Sequence, residues 1–216
     1  MISKARKQAS RTPPSPAHRR GTLDLVLIDA AMDLFASYGY RGTSLARIAR
    51  AAGVTKGALY WHFSDKEDFF LAVLDRVMSE WGEVFGTSEP AADSRTYREQ
   101  FLHVFDLCSE VNVKNPWVSR LSLIIALESH KIGPRVLRTI RRINRQQLAS
   151  WRALVERGKS VGALDPNLDL DWAATQCFSG LVGLELLWYL HGPRFDIKRS
   201  FRRQAREFLR LWSAEK

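Results

Sequence analysis

From Thr22 onward the apolar residues of this chain recur at spacings of three and four and nowhere alternate with polar ones. That rhythm admits helices and leaves no strand pattern to build a sheet. Leu25, Ile28, Met32 and Phe35 form one such stripe, widened by Leu27, Ala31 and Leu34. Turn residues cut the rhythm into segments. Thr22 is placed to start the first helix, and Gly39 sits where a helix ends in a left-handed residue. Thr43 can cap a second helix burying Leu45, Ile48, Ala49 and Ala52, which Gly53 ends. Thr55 can cap a short third helix, with Val54 and Leu59 as its hydrophobic staple. Ser64-Asp65-Lys66-Glu67 reads as a capping box opening a fourth. After a loop at 86–94, five more helices are expected near 95–112, 116–130, 134–158, 169–191 and 196–213, two of them opening on Pro116 and Pro134. The fold class expected is all-α, with about nine helices in an N-terminal three-helix domain and a larger C-terminal helical domain.

Charge narrows the partners. The 216 residues carry 33 Lys and Arg against 23 Asp and Glu, a net +10, which favours an anionic polymer. The excess is densest in the N-terminal third. Residues 1–21 hold Lys4, Arg6, Lys7, Arg11, Arg19 and Arg20, no acid and a Pro-rich run, and read as a disordered basic arm. No apolar run reaches the length of a membrane span and no secretory signal opens the chain, so a cytoplasmic protein without membrane contact is expected. Cys108 and Cys177 each lie in an apolar stretch, as small buried hydrophobes do. No metalloprotease pair of histidines, nucleophile elbow, phosphate loop or paired cysteine motif is present. The expectation is therefore a protein that is not an enzyme, with no metal and no cofactor.

The two short helices at about 44–52 and 56–62, joined at Gly53, have helix-turn-helix spacing. Ala49 lets the second helix cross closely, and that helix would enter the major groove of DNA. The stretch from Gly42 to Glu67, GTSLARIARAAGVTKGALYWHFSDKE, closely resembles the tetracycline-repressor (TetR) family, as does Ala31–Tyr40 before it. The resemblance covers about residues 22–75. It implies a homodimeric regulator, usually a repressor, that binds palindromic operator DNA and is released by a small effector. It divides the chain into the arm at 1–21, a DNA-binding domain at 22–68 with its helix-turn-helix at about 44–63, and an effector-binding and dimerisation domain at 69–216. It carries DNA-contacting roles onto Thr43, Ser44, Arg47, Thr55, Lys56, Gly57, Tyr60, Trp61, His62 and Lys66. Trp61 is open between DNA contact and packing within the domain. For Thr43 and Thr55, capping and phosphate contact can coexist.

The C-terminal two thirds add a compatible helical pattern. Candidate pocket walls are Phe101, Phe105, Trp117, Leu121, Ile125, Trp151 and Phe178, with His103, Glu128, His130, Gln176, Glu185 and Tyr189 as polar candidates. So many aromatic rings suggest a bulky apolar effector. Arg135, Arg138, Arg141, Arg142, Arg145 and Arg152 fall on one side of the 134–158 helix. They form either a solvated face or, joined by Lys131, an anion site such as the phosphates of a coenzyme A thioester would need. The resemblance places the dimer interface on the last two helices, with Ala173, Cys177, Gly180, Leu184 and Leu187 on one and Phe201, Phe208 and Trp212 on the other. Two other readings stay open: a helix-turn-helix protein without an effector, controlled by a protein partner, and an all-helical enzyme carrying a DNA-binding module.

Overall fold

A computed structural model describes residues 16–86 and 95–214 of the chain. Among the described residues there are nine α-helices: α1 (Pro16–Gly42), α2 (Leu45–Ala51), α3 (Lys56–His62), α4 (Lys66–Gly86), α5 (Tyr97–Lys114), α6 (Trp117–Ile132), α7 (Pro134–Ser160), α8 (Leu170–His191) and α9 (Ile197–Leu211). The fold is all-α, as the apolar rhythm requires. Residues 16–21, expected in the arm, already belong to α1; residues 1–15 and the loop at 87–94 lie outside the described residues.

The helix ends follow from local chemistry. Gly39 has φ 67° and ends the regular part of α1, a conformation that costs a residue with a Cβ. The cap of α2 is Ser44, whose hydroxyl accepts from the Arg47 amide, and not Thr43. Thr55 caps α3 through the Ala58 amide. The cap expected from Ser64 and Glu67 is displaced by one residue. The Asp65 carboxylate accepts from the Asp68 amide at 2.7 Å, and the Asp68 carboxylate accepts from the Ser64 amide. Glu67 instead lies beside Gly133, at the positive start of α7. Thr96 and Glu99 form a reciprocal capping box on α5, and Asp169 and Asp196 cap α8 and α9.

α1 packs on α2, α4 and α6, while α7 packs on α8 and α5 on α9, so the small domain rests on α4 and α6 of the larger one. Phe35, Tyr40, Phe63, Phe69 and Phe70 meet ring to ring beneath the helix-turn-helix. A second aromatic cluster, Phe101, Phe105, Trp151 and Phe201, fills the C-terminal domain. The end of the chain is pinned there by Asp165, whose amide donates to the Trp212 carbonyl at 2.9 Å.

At Gly158 the fold has no room to spare. A Cβ there would overlap the buried Tyr97 ring and come within 2.7 Å of Leu164. Gly158→Ala should therefore destabilise the protein by about 1–3 kcal/mol through overpacking, despite the better helix propensity of Ala. Chemical denaturation tests this; a variant as stable as the parent would show that α5 and α7 can separate without cost.

Candidate nucleic-acid interface

α3 shows one face to the core and one to solvent. Leu59 and Phe63 are buried, while Lys56, Gly57, Tyr60 and Trp61 are exposed. Trp61 is 65% exposed, which decides against packing within the domain. Its indole meets the half-buried His62 ring edge-on at 5.0 Å. The Lys56 ammonium lies 5.5 Å above the Tyr60 ring, on the same outer surface. Only the Thr55 hydroxyl, at 4.0 Å, lies near where a Gly57 Cβ would stand, so a flat partner can approach the backbone there. Ser44 and Thr55, both exposed, hold the first turns of α2 and α3. Arg47 is exposed too, but its guanidinium stacks 3.7 Å over the Tyr38 ring and donates to the Gly42 carbonyl. Tyr38, which α1 brings beneath α2, has no marker in the linear pattern.

Two residues given DNA roles by resemblance serve the fold first. Thr43 is 1% exposed, and its hydroxyl donates to the carbonyls of Leu34 and Gly39 at 3.1 and 2.9 Å. It closes the end of α1 and is not available to a phosphate. Lys66 donates to the carbonyls of Tyr40 and Thr43 at 2.9 and 3.1 Å and lies 4.1 Å over the Tyr40 ring. Burial pushes its pKa down, with Arg41 adding to the effect. A further bond to this turn comes from the other domain: the Tyr40 amide donates to Glu128 of α6 at 3.2 Å. Both Glu128 oxygens lie about 3.1 Å from where a Gly39 Cβ would be. Glu128, expected on a pocket wall, is therefore a strut between the two domains. Its partners are 88 residues away in sequence, and no local spacing marks them.

The pocket candidates disperse. Phe101, Phe105 and Trp151 are fully buried in mutual ring contact, Leu121 is fully buried, and Ile125, Gln176 and Phe178 are half-buried. Trp117 faces a cleft between the domains. The side chains of His130 and Lys131 lie outside the described residues. One polar pair is sealed inside the C-terminal domain: Asn112 donates to Glu185 at 2.9 Å and to the Cys108 carbonyl at 3.0 Å. Burial pushes the Glu185 carboxyl up to about 7, opposed by the Asn112 hydrogen bond. Burial also pushes the Cys108 and Cys177 thiols up, which makes them inert. The arginine row on α7 divides. Arg135 and Arg142 meet Asp68 and Asp75 of α4, and Arg152 meets Asp171 of α8, while Arg138, Arg141 and Arg145 are exposed.

α8 is apolar around nearly its whole circumference. The stripe expected to form the interface, Ala173, Cys177 and Leu184, faces inward, and Gly180 lies against Gln204 of α9. Phe201 and Trp212 are buried as well, and Phe208 stacks on Trp212 at 4.5 Å. The opposite face of α8 is the uncovered one: Trp172, Val182, Leu186, Leu187 and Leu190, with Gly183 open between them. Of the residues expected at the interface, Leu187 is on that face. The wide apolar circumference hides which side the chain itself covers.

Residues 27–73 match the family model for bacterial regulatory proteins of the tetR family. Over 83 residues the chain is 40% identical to the HTH-type transcriptional regulator AcrR of Shigella flexneri, a match spanning 37% of this chain and 39% of that relative. It is 22% identical over 171 residues to a fatty acid metabolism regulator protein of Bacillus subtilis, covering 79% of this chain and 86% of the relative. The crystal structure of FadR from Bacillus subtilis, in complex with stearoyl-CoA, superposes with a TM-score of 0.73 at 20% identity, covering 86% of this chain and 97% of that one. At that identity the likeness is one of fold. Among the described residues no helix is long and apolar enough to cross a membrane.

The buried carboxyl sets a pH dependence. Its ordinary value is 4.5 and its folded value about 7, so between them the folded state holds more protons than the unfolded one. Stability should fall as pH rises through that window and stay lowered above it. Glu185→Gln keeps an acceptor for Asn112 and should flatten the profile, raising the melting temperature most on the alkaline side. Thermal melts across the window test this; a difference between variant and parent that does not change with pH would contradict it.

Proposed function

On the premise that the chain belongs to the TetR family of transcriptional regulators, we propose that it acts as a homodimer presenting two copies of α3 to a palindromic operator. The helices would enter successive major grooves, about 34–36 Å apart. The observation that carries this is the outer face of α3. Lys56, Gly57, Tyr60 and Trp61 are exposed there, while Leu59 and Phe63 anchor the helix behind them. Lys56 reads a base edge or phosphate, Gly57 lets the backbone close on the duplex, and Tyr60, Trp61 and His62 meet the flanking backbone. The exposed first turns at Ser44 and Thr55 face phosphates. Arg47 swings from Tyr38 to the groove edge. Lys66 keeps one donor beyond the two it spends on carbonyls, and that donor meets a phosphate.

The dimer forms on the uncovered side of α8. A helix apolar all round has to be buried all round, and this chain covers only one side of it. Gly183 lets the partner's α8 approach closely. α9 contributes little, because its outer face carries Lys198, Arg199, Arg203, Arg206 and Arg210. The regulatory input is a bulky apolar effector received in the aromatic interior of the C-terminal domain, with Glu185 and Asn112 as its polar anchor. The likeness to a fold that holds stearoyl-CoA supports a long-chain acyl thioester among such effectors, and Arg138, Arg141 and Arg145 offer cations for its phosphates. The close ring packing of Phe101, Phe105 and Trp151 favours a second reading, in which a protein partner and no small molecule controls the dimer. Operator titrations with and without stearoyl-CoA separate the two: release of DNA supports the first, and unchanged binding the second.

Two sets of variants test DNA binding and assembly. Lys56→Ala and Tyr60→Phe should change stability by under about 0.5 kcal/mol while weakening operator binding, by about 1–3 kcal/mol where a base contact is lost. Leu59→Ala should instead cost about 2–5 kcal/mol of stability. A Lys56→Ala variant that binds DNA like the parent would show that α3 presents another face. Gly183→Arg should give a folded monomer in sedimentation velocity. A dimer persisting in that variant would move the interface off this side of α8.

A further inference from the structure

Two adjoining cavities open where the small domain meets the large one. The larger, about 470 Å³, is walled by Trp117 and Arg120 of α6, Trp188 and Tyr189 of α8, and Asp33 of α1. The smaller, about 310 Å³, runs from Trp117 and Asp33 to Asp29 and Arg76. Each is in the size range of small-molecule sites. The walls combine three rings with two carboxylates, Asp29 and Asp33, and two guanidiniums, Arg76 and Arg120. Asp29 and Asp33 are one helical turn apart and exposed, and among the described residues they make no hydrogen bond or ion pair. Arg120, on the facing wall, forms no ion pair with them among the described residues. Its guanidinium sits 5.8 Å over the Tyr189 ring. The aromatic wall thus already accommodates an organic cation, supplied by the chain itself, and it faces two unpaired carboxylates in a protein of net charge +10.

We propose that this interdomain cleft is a binding site for organic cations with an apolar body, separate from the aromatic interior. A substituted ammonium takes the place of Arg120 on Tyr189, with Asp33 as its counter-charge, and an aromatic or aliphatic body lies on Trp117 and Trp188. Arg120 is exposed and swings out to solvent at little cost. A ligand held there touches α1 on one side and α6 and α8 on the other, so it favours one placement of the small domain relative to the large one. That consequence, unlike the binding itself, rests on the DNA-binding reading above.

The test is calorimetric titration of the full chain with benzyltriethylammonium and, separately, with benzenesulfonate at matched ionic strength. The cation should bind one site per chain, and the sulfonate should not bind. Asp33→Asn should weaken the cation about fivefold or more, Asp33→Glu should retain it, and both should melt like the parent, since Asp33 makes no contact the fold needs. No binding of the cation, equal binding of the sulfonate, or an Asp33→Asn variant that binds the cation like the parent would each overturn the proposal. The last result would place the cation elsewhere, in the aromatic interior, without bearing on DNA recognition by α3.

Discussion

The end of α1 is where the architecture is tied together. Gly39 breaks the helix with a left-handed residue, and its polar groups are then claimed by three different elements. The Thr43 hydroxyl takes the Gly39 and Leu34 carbonyls, Lys66 of α4 takes the Tyr40 carbonyl, and Glu128 of α6 takes the Tyr40 amide. Together they pair polar groups of this turn where solvent access is low, and a buried polar group left unpaired costs about 1–3 kcal/mol. These bonds set the angle at which α2 leaves α1, and through α3 they set where the reading face points. The last of them also joins the two domains, because α6 belongs to the larger one. A small movement of α6 has a direct path to the helix-turn-helix, made of one carboxylate and one amide.

The second constraint is α8. The chain buries one side of it against α6, α7 and α9, with Ala173, Cys177, Leu181 and Glu185 inside, and leaves the other side largely apolar and uncovered. Leu190 is 63% exposed and Trp172 51%. The contrast with α9 is instructive. There the apolar and charged faces are cleanly divided, the apolar one is consumed within the chain, and arginines remain outside. In the proposed dimer a partner copy would complete α8 far better than α9.

Much of the fold is legible in the sequence, because helix rhythm, capping residues and turn glycines act locally. Gly39, Gly53, Pro134 and Thr55 mark their boundaries directly, and the core positions of α1, α3 and α7 follow from spacing. The capping of α4 is a closer contest: Ser64-x-x-Glu67 and Asp65-x-x-Asp68 both fit the pattern, and Glu67 is drawn away by α7, which no local rule foresees. The outer face of α3 is legible for the same local reasons. What is not legible depends on long-range packing. Thr43 looks like a phosphate ligand until the end of α1 is seen to need it, and the two carbonyls that Lys66 holds there carry no local sign. Glu128 looks like a pocket wall until α6 is laid against Gly39. A helix apolar on every side, such as α8, carries no sign of which side its own chain will cover.

Rigid coupling of the small domain to the large one through Glu128 can be read from the spacing of the two reading heads. A nitroxide on Ser64→Cys reports it, because Ser64 is exposed and the native Cys108 and Cys177 are buried and unreactive. In the otherwise native dimer the distance distribution between the two labels should be narrow. With Glu128→Ala added it should broaden or shift while helical content and dimer mass stay the same. An unchanged distribution in that variant would contradict the coupling and leave the Glu128–Tyr40 bond an ordinary surface contact.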